Sequence, residues 1–231
     1  MSVRPAPLPA AADKRRAVEE MFDRIAPRYD LLNRILTLRM DVAWRRAAVR
    51  ALGLGPGERV LDVACGTGDF CREAAAAGLH PIGVDFSAGM LASARANAPL
   101  VRGDAQQLPV RDGAVDGITC GFALRNLTNI DLFFAECARV LRPGGRVAIV
   151  EVAEPTGRAA RAVHGAWFRR VVPFVGGLVS DRDAYSYLPA STAYLPGAAA
   201  LLLALAGHGF DHVTRRTLGF GAAQLVTGTR T

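Results

Sequence analysis

The chain has 231 residues, 51% of them apolar, and its 28 Lys+Arg against 21 Asp+Glu give a net charge of +7. That apolar share excludes a disordered chain, and the length suffices for one α/β domain with additions around a sizeable core. The longest apolar run, Ala198–Ala206, is too short to span a bilayer. The charge is compatible with nucleic acid, an anionic membrane surface or mere solubility.

Residues 1–12 are rich in proline and alanine and are expected to form a disordered tail. They lack the apolar stretch of a signal peptide. From Asp13 onward, Ala17, Val18, Met21, Phe22 and Ile25 recur at helical spacing until Pro27 interrupts. Tyr29, Leu31, Leu32, Ile35 and Leu36 continue on a second short helix, and Val42–Leu52 on a third. These helices, residues 13–56, precede the first strand. They are not sheet crossovers and are expected to cap a crevice.

Residues 57–151 read as a βα core. Val60, Leu61 and Val63 form a short apolar run, as expected of a buried parallel strand. The chain turns through Cys65-Gly66-Thr67-Gly68, and a helix follows with Asp69 as its expected N-cap. A dinucleotide fingerprint needs a third glycine where Cys71 stands. Asp62, at the end of the strand, would repel a pyrophosphate and attract an ammonium or sulfonium. The turn therefore suits a ligand with a cationic amino-acid end, such as S-adenosylmethionine. A second strand, His80–Val84, ends at Asp85, 17 positions after Gly68 and close to the spacing of a ribose-binding acid. A third, Leu100–Gly103, ends at Asp104-Ala105, where an acid can accept from an adenine amine. A fourth strand spans Val115–Cys120 and a helix Asn129–Leu141. Arg142–Arg146 reads as a turn, with Gly144 stopping the helix, and Val147–Glu151 as a fifth strand.

Residues 152–231 are read as a substrate-side insertion and a terminal hairpin. Arg158–Val175 has the composition of a basic amphipathic helix, carrying Trp167, Phe168 and Phe174 among arginines. Membrane contact and core packing are equally good readings of it. An irregular stretch follows to Ala193, then a helix over Pro196–Ala206. Asp211–Leu218 and Ala222–Thr229 read as the hairpin. The four cysteines form no C-x-x-C pair, so reduced structural thiols and a cytoplasmic protein are expected. No metal-ligand cluster is expected.

Several blocks carry a resemblance. They are Phe22–Asn33, Leu61–Asp69, Gly103–Ala105 with Leu108-Pro109, Phe122–Asn126, Arg139–Arg146 and Tyr185–Leu188. Through them the chain resembles class I S-adenosylmethionine-dependent methyltransferases. More closely, it is similar to the ubiquinone/menaquinone biosynthesis C-methyltransferases, the demethylmenaquinone methyltransferases among them. The resemblance implies a Rossmann-like α/β fold: a seven-stranded, mostly parallel sheet whose last strand is antiparallel, with the N-terminal helical cap beside it. It implies S-adenosylmethionine as cofactor, its contacts mapping onto Thr67, Asp85, Asp104 and Ala105; with Asp62, Gly66 and Gly68 of the turn read above and Gly121 in the place of a usual serine, these are the expected binding residues. The expected acceptor is a prenylated quinol, demethylmenaquinol above all, reached from the inner face of the cell membrane. Arg125, Asn126 and Tyr29 are the candidate catalytic residues. For Arg125, stabilising a phenolate and holding a structural salt bridge are both open. Asp30, Tyr185 and His164 are further candidates for a base or an orienting group. The chain departs from the family pattern at Gly121, where serine is usual, and at Ala123, Ser186 and Val226. A related small-molecule methyltransferase is the alternative. A nucleic-acid methyltransferase is disfavoured, because no RNA-binding module or aromatic stacking motif stands out.

Overall fold

The computed structural model describes residues 11–153, 155, 157, 165 and 191–231. Of the tail expected over residues 1–12, Ala11 and Ala12 already belong to the first helix; the residues before Ala11, the basic segment Arg158–Val175 except Gly165, and Tyr185–Leu188 lie outside the described residues. Strands β1 (Arg59–Val63), β2 (His80–Asp85), β3 (Leu100–Arg102), β4 (Val115–Gly121), β5 (Leu141–Val152), β6 (Phe210–Leu218) and β7 (Ala223–Arg230) form one sheet in the order β3-β2-β1-β4-β5-β7-β6. β7 runs antiparallel to both β5 and β6, whereas the pairs from β3 across to β5 are parallel. The expected topology is present, with the last strand of the chain inserted beside β5 rather than at the edge.

Alternation along β1 sorts the core. Leu61 and Val63 pack with Phe133 and Phe134 of α6 (Ile130–Val140) and Leu201 and Leu205 of α7 (Ala198–Gly207). Val60 packs with Trp44 and Val49 of α3 (Met40–Ala51) and Phe70 and Ala74 of α4 (Asp69–Ala76), on the opposite face. A third cluster joins Val18, Met21 and Ile25 of α1 (Ala11–Ile25) to Leu32 of α2 (Tyr29–Leu36) and Met90 of α5 (Ala88–Ala92). This cluster seats α1 and α2 over the ends of the strands, the place expected of a cap.

Two local expectations are corrected. Asp69 is not the N-cap of α4. Gly68 is, with φ +83°, and Asp69 is the first helical residue. A Cβ on Gly68 would lie 2.5 Å from that of Ala96, so only glycine fits. The Asp69 carboxylate turns instead to arginines: Arg34 holds it through two bonds of 3.0 Å, Arg45 stands at 3.2 Å, and Arg72 also pairs with it. The second correction concerns Arg142–Arg146. α6 stops at Val140, and β5 already begins at Leu141. Pairing with β4 jumps from Val115↔Leu141 to Gly117↔Arg146, so the expected turn is a bulge within a strand. Gly144, at φ +75°, permits that detour.

Candidate active site

The strand order reverses between β1 and β4, and the chain loops at their carboxyl ends part there to leave a crevice. Each of these two loops carries a non-glycine residue in the left-handed region: Ala64 at φ +56° after β1 and Phe122 at φ +57° after β4. Such conformations cost of order 1–3 kcal/mol and persist where surrounding structure holds them. Both residues line one cavity enclosing about 760 Å³, its mouth included. Val18, Phe22 and Tyr29 roof it from the N-terminal helices.

Tyr29, Gly66, Asp85, Asp104, Ala105, Gly121 and Asn126 all line this cavity. Asp85 ends β2 and is buried. Its carboxylate accepts from the Gly66 N–H at 2.7 Å and the Ser87 N–H at 2.9 Å, and burial raises its pKa. Each oxygen retains acceptor capacity, since a carboxylate has about four lone-pair positions. Asp104 accepts from the Gln106 N–H at 2.9 Å and pairs with Arg15 at 3.0 Å. A Cβ on Gly121 would stand 2.6 Å from the Phe70 ring, so Phe70 occupies the space that the more usual serine would need.

Asp62, Thr67, Gly68 and Arg125 lie behind the wall rather than on it. Asp62 accepts from Thr119 Oγ1 at 3.0 Å and Cys71 Sγ at 3.7 Å. Thr67 Oγ1 donates to Asp30 of α2. Arg125 sits in the 3-10 turn Leu124–Asn126 and pairs with Glu151 at 2.5 Å, both side chains buried; its Nε has no partner among the described residues. Tyr29 is half-buried, and the desolvation of its phenol raises its pKa, so it keeps its proton at neutral pH. Phe86, Met90 and Gln106 line the cavity without having been singled out, as does Phe22, which the sequence marked for its helix face and family block but not as a site residue. Phe86 directly follows Asp85 and Gln106 directly follows Asp104-Ala105, the local signals that were available.

Burial pushes the Asp62 carboxyl up to about 7. The folded state then binds more protons than the unfolded state between the ordinary carboxylate pKa and about 7, so this group makes stability fall as pH rises through that window. Asp62→Asn should flatten the difference, measured by urea denaturation from pH 5 to 8. An unchanged slope would remove Asp62 as its source.

A profile of the ubiE/COQ5 methyltransferase family matches residues 10–230. The chain belongs to that family. A demethylmenaquinone methyltransferase of Roseiflexus sp. (strain RS-1) is 43% identical over 234 residues, covering 96% of each chain. One from Thermus thermophilus is 42% identical over 221 residues, covering 91% of this chain and all of that one. Among solved structures, a possible histamine N-methyltransferase from Thermotoga maritima superposes with a TM-score of 0.65 at 18% identity, over 92% of this chain and 99% of that one. The [4+2]-cyclase SpnF reaches a TM-score of 0.66 at 17% identity, over 92% and 94%. These structural likenesses show the fold alone, and a cyclase among them illustrates why. As a family member the chain is an S-adenosylmethionine-dependent methyltransferase. Its cavity fits that donor: the glycine-bearing turn and, bonded to it, the carboxylate of Asp85 line it together with the carboxylate of Asp104, both acids with acceptor capacity.

Proposed function

We propose that the enzyme methylates a ring carbon of demethylmenaquinol to give menaquinol, with S-adenosylmethionine as donor. The cavity at the reversal point of the sheet carries this reading, together with relatives named for that reaction at about 40% identity over nearly the whole chain. In this reading Asp85 accepts from the ribose hydroxyls and Gly66 lies along the methionine part. Asp104-Ala105 receives the adenine, and Gly121 closes the floor. Asp62, Thr67 and Gly68 shape the turn from behind.

Bound there, S-adenosylmethionine supplies an activated methyl group on a sulfonium. The protein's task is to align the acceptor carbon and exclude water. Tyr29 and Asn126 line the same cavity and are placed to orient a quinol oxygen. Tyr29, neutral at pH 7, acts as a hydrogen-bond donor. The Arg125–Glu151 pair fixes the turn that presents Asn126. Ionisation of a ring hydroxyl makes the ring carbon nucleophilic, and the displaced ring proton leaves afterwards.

The acceptor's prenyl tail belongs in a bilayer, while no helix among the described residues is long and apolar enough to cross a membrane. Contact with an anionic leaflet is part of the proposal. Leu31, Ile35 and Leu38 are exposed on and just after α2, near the exposed Arg28 and Arg39. This combination suits an interfacial surface.

The test is incubation with isotopically labelled donor and demethylated quinones in neutral or anionic vesicles, read by mass spectrometry. Labelled menaquinol should form only with reductant present, and faster on anionic vesicles. Equal turnover of the oxidised quinone would overturn the mechanism. Methylation confined to soluble small molecules would assign a related small-molecule methyltransferase instead.

A further inference from the structure

One stretch of the N-terminal helices sends a polar side chain to each of four loops that leave the sheet at the cavity. After β1, Thr67 Oγ1 donates to Asp30, and Arg72 stands 3.7 Å from the same carboxylate while donating to the Thr67 carbonyl at 3.2 Å. After β2, Asp23 accepts from Ser87 Oγ at 2.5 Å and from the Gly89 N–H at 2.9 Å. Ser87 in turn caps α5 and donates its N–H to Asp85. The approach is tight, since a Cβ on Gly89 would come 2.8 Å from the Asp23 Cα. After β3, Arg15 pairs with Asp104 at 3.0 Å. After β4, the buried Lys14 donates to the Leu127 carbonyl at 2.6 Å, with its ammonium 3.9 Å from the centre of the Tyr194 ring. Between these charged ends, Val18 and Phe22 face the cavity.

This arrangement is more than a cover. Apolar packing alone would seat the helices, as Val18, Met21, Ile25 and Leu32 do. The polar groups instead terminate on the loop atoms that set the positions of Asp85, Asp104, the glycine turn and Asn126. We infer that Lys14, Asp23 and Asp30 are positioning residues, and that residues 14–30 form a clamp whose closure and donor binding are one coupled equilibrium. The inference rests on the donor-site reading above. A donor that binds the aligned loops binds the closed clamp, and by reciprocity it must hold the clamp closed. Opening the clamp frees all four loops together, which makes it the gate for donor and product exchange.

The experiment measures binding of S-adenosylhomocysteine, the demethylated donor, by calorimetry and stopped flow, with hydrogen exchange followed by mass spectrometry on the same samples. In the wild type, peptides spanning residues 14–30 should gain protection on binding. Asp30→Asn and Asp23→Asn should each weaken affinity by about tenfold, the loss of roughly one charge-assisted hydrogen bond, mainly through faster dissociation. Both should lower protection over 14–30 while β4 and β5 stay protected. Lys14→Met should act likewise and Lys14→Arg should restore wild-type behaviour, which separates positioning from lost folding. If the wild type binds tightly but residues 14–30 exchange equally with and without ligand, the clamp is a passive cover and the inference falls alone. If the wild type does not bind the ligand, the donor-site reading falls with it.

Discussion

Asp85→Ala is expected to weaken S-adenosylhomocysteine binding by about ten- to a hundredfold in a protein that still folds. The carboxylate is buried at the cavity wall and holds the N–H groups of Gly66 and Ser87. Losing it removes the proposed ribose acceptor and frees the glycine turn at once. A charge-assisted hydrogen bond contributes roughly 1.5–3 kcal/mol, and about 1.4 kcal/mol is tenfold in affinity. Asp85→Asn, which keeps one acceptor oxygen, should fall between the two. The raised pKa gives a second signature, because protonation on acidification should erode donor affinity in the wild type and leave Asp85→Asn flat. Calorimetry with an unchanged dissociation constant for a folded Asp85→Ala variant would remove Asp85 from the donor site.

Breaking the Arg125–Glu151 pair should be the most damaging single change to stability. Both partners are almost wholly shielded, and Glu151 also accepts from the Val152 N–H at 2.9 Å. Glu151→Ala would leave the Arg125 charge buried without its partner, at a cost of about 3–5 kcal/mol. For a chain of this size that lowers the melting temperature by about 10 °C. Arg125→Met combined with Glu151→Leu should recover most of the loss, because the expensive species is the unpaired charge rather than the missing bridge. If the double variant then methylates no acceptor while remaining folded, the pair positions Asn126 and Tyr29 for the reaction as well as stabilising the turn. A Glu151→Ala melting curve that overlays the wild type would show that the guanidinium finds water in the folded protein.

Much of the frame is legible in local pattern. A strand buried on both faces is apolar at nearly consecutive positions, so Val60, Leu61 and Val63, interrupted by Asp62, and Val147–Val150 announce themselves. An amphipathic helix must repeat at 3–4 residues, so α1, α2 and α6 do too. The acids Asp85 and Asp104 were legible because a strand end in a doubly wound sheet faces the crevice whatever its neighbours are. What local pattern could not reveal is the destination of a polar side chain. Asp62 and Asp85 look alike in sequence, each an acid at or next to the end of a short apolar strand. Yet Asp62 lies on the sheet face toward α4 and spends its carboxylate on Thr119 and Cys71, while Asp85 lines the cavity.

The amino-acid sequence by itself determined the element order, the glycine turn, the family and hence the class of reaction. The elements and the turn depend on periodicity and on short spacings along the chain, whereas the family and the reaction class rest on the resemblance of its motif blocks to known sequences. Only the tertiary structure decided that Asp69 serves arginines rather than a helix end, that Arg142–Arg146 is a bulge, and that Asp30, Asp23 and Lys14 reach Thr67, Ser87 and Leu127. Those partners are separated by 37, 64 and 113 residues respectively. The strength of such a bond depends on distance, burial and competing water, and none of these exists until packing brings the groups together.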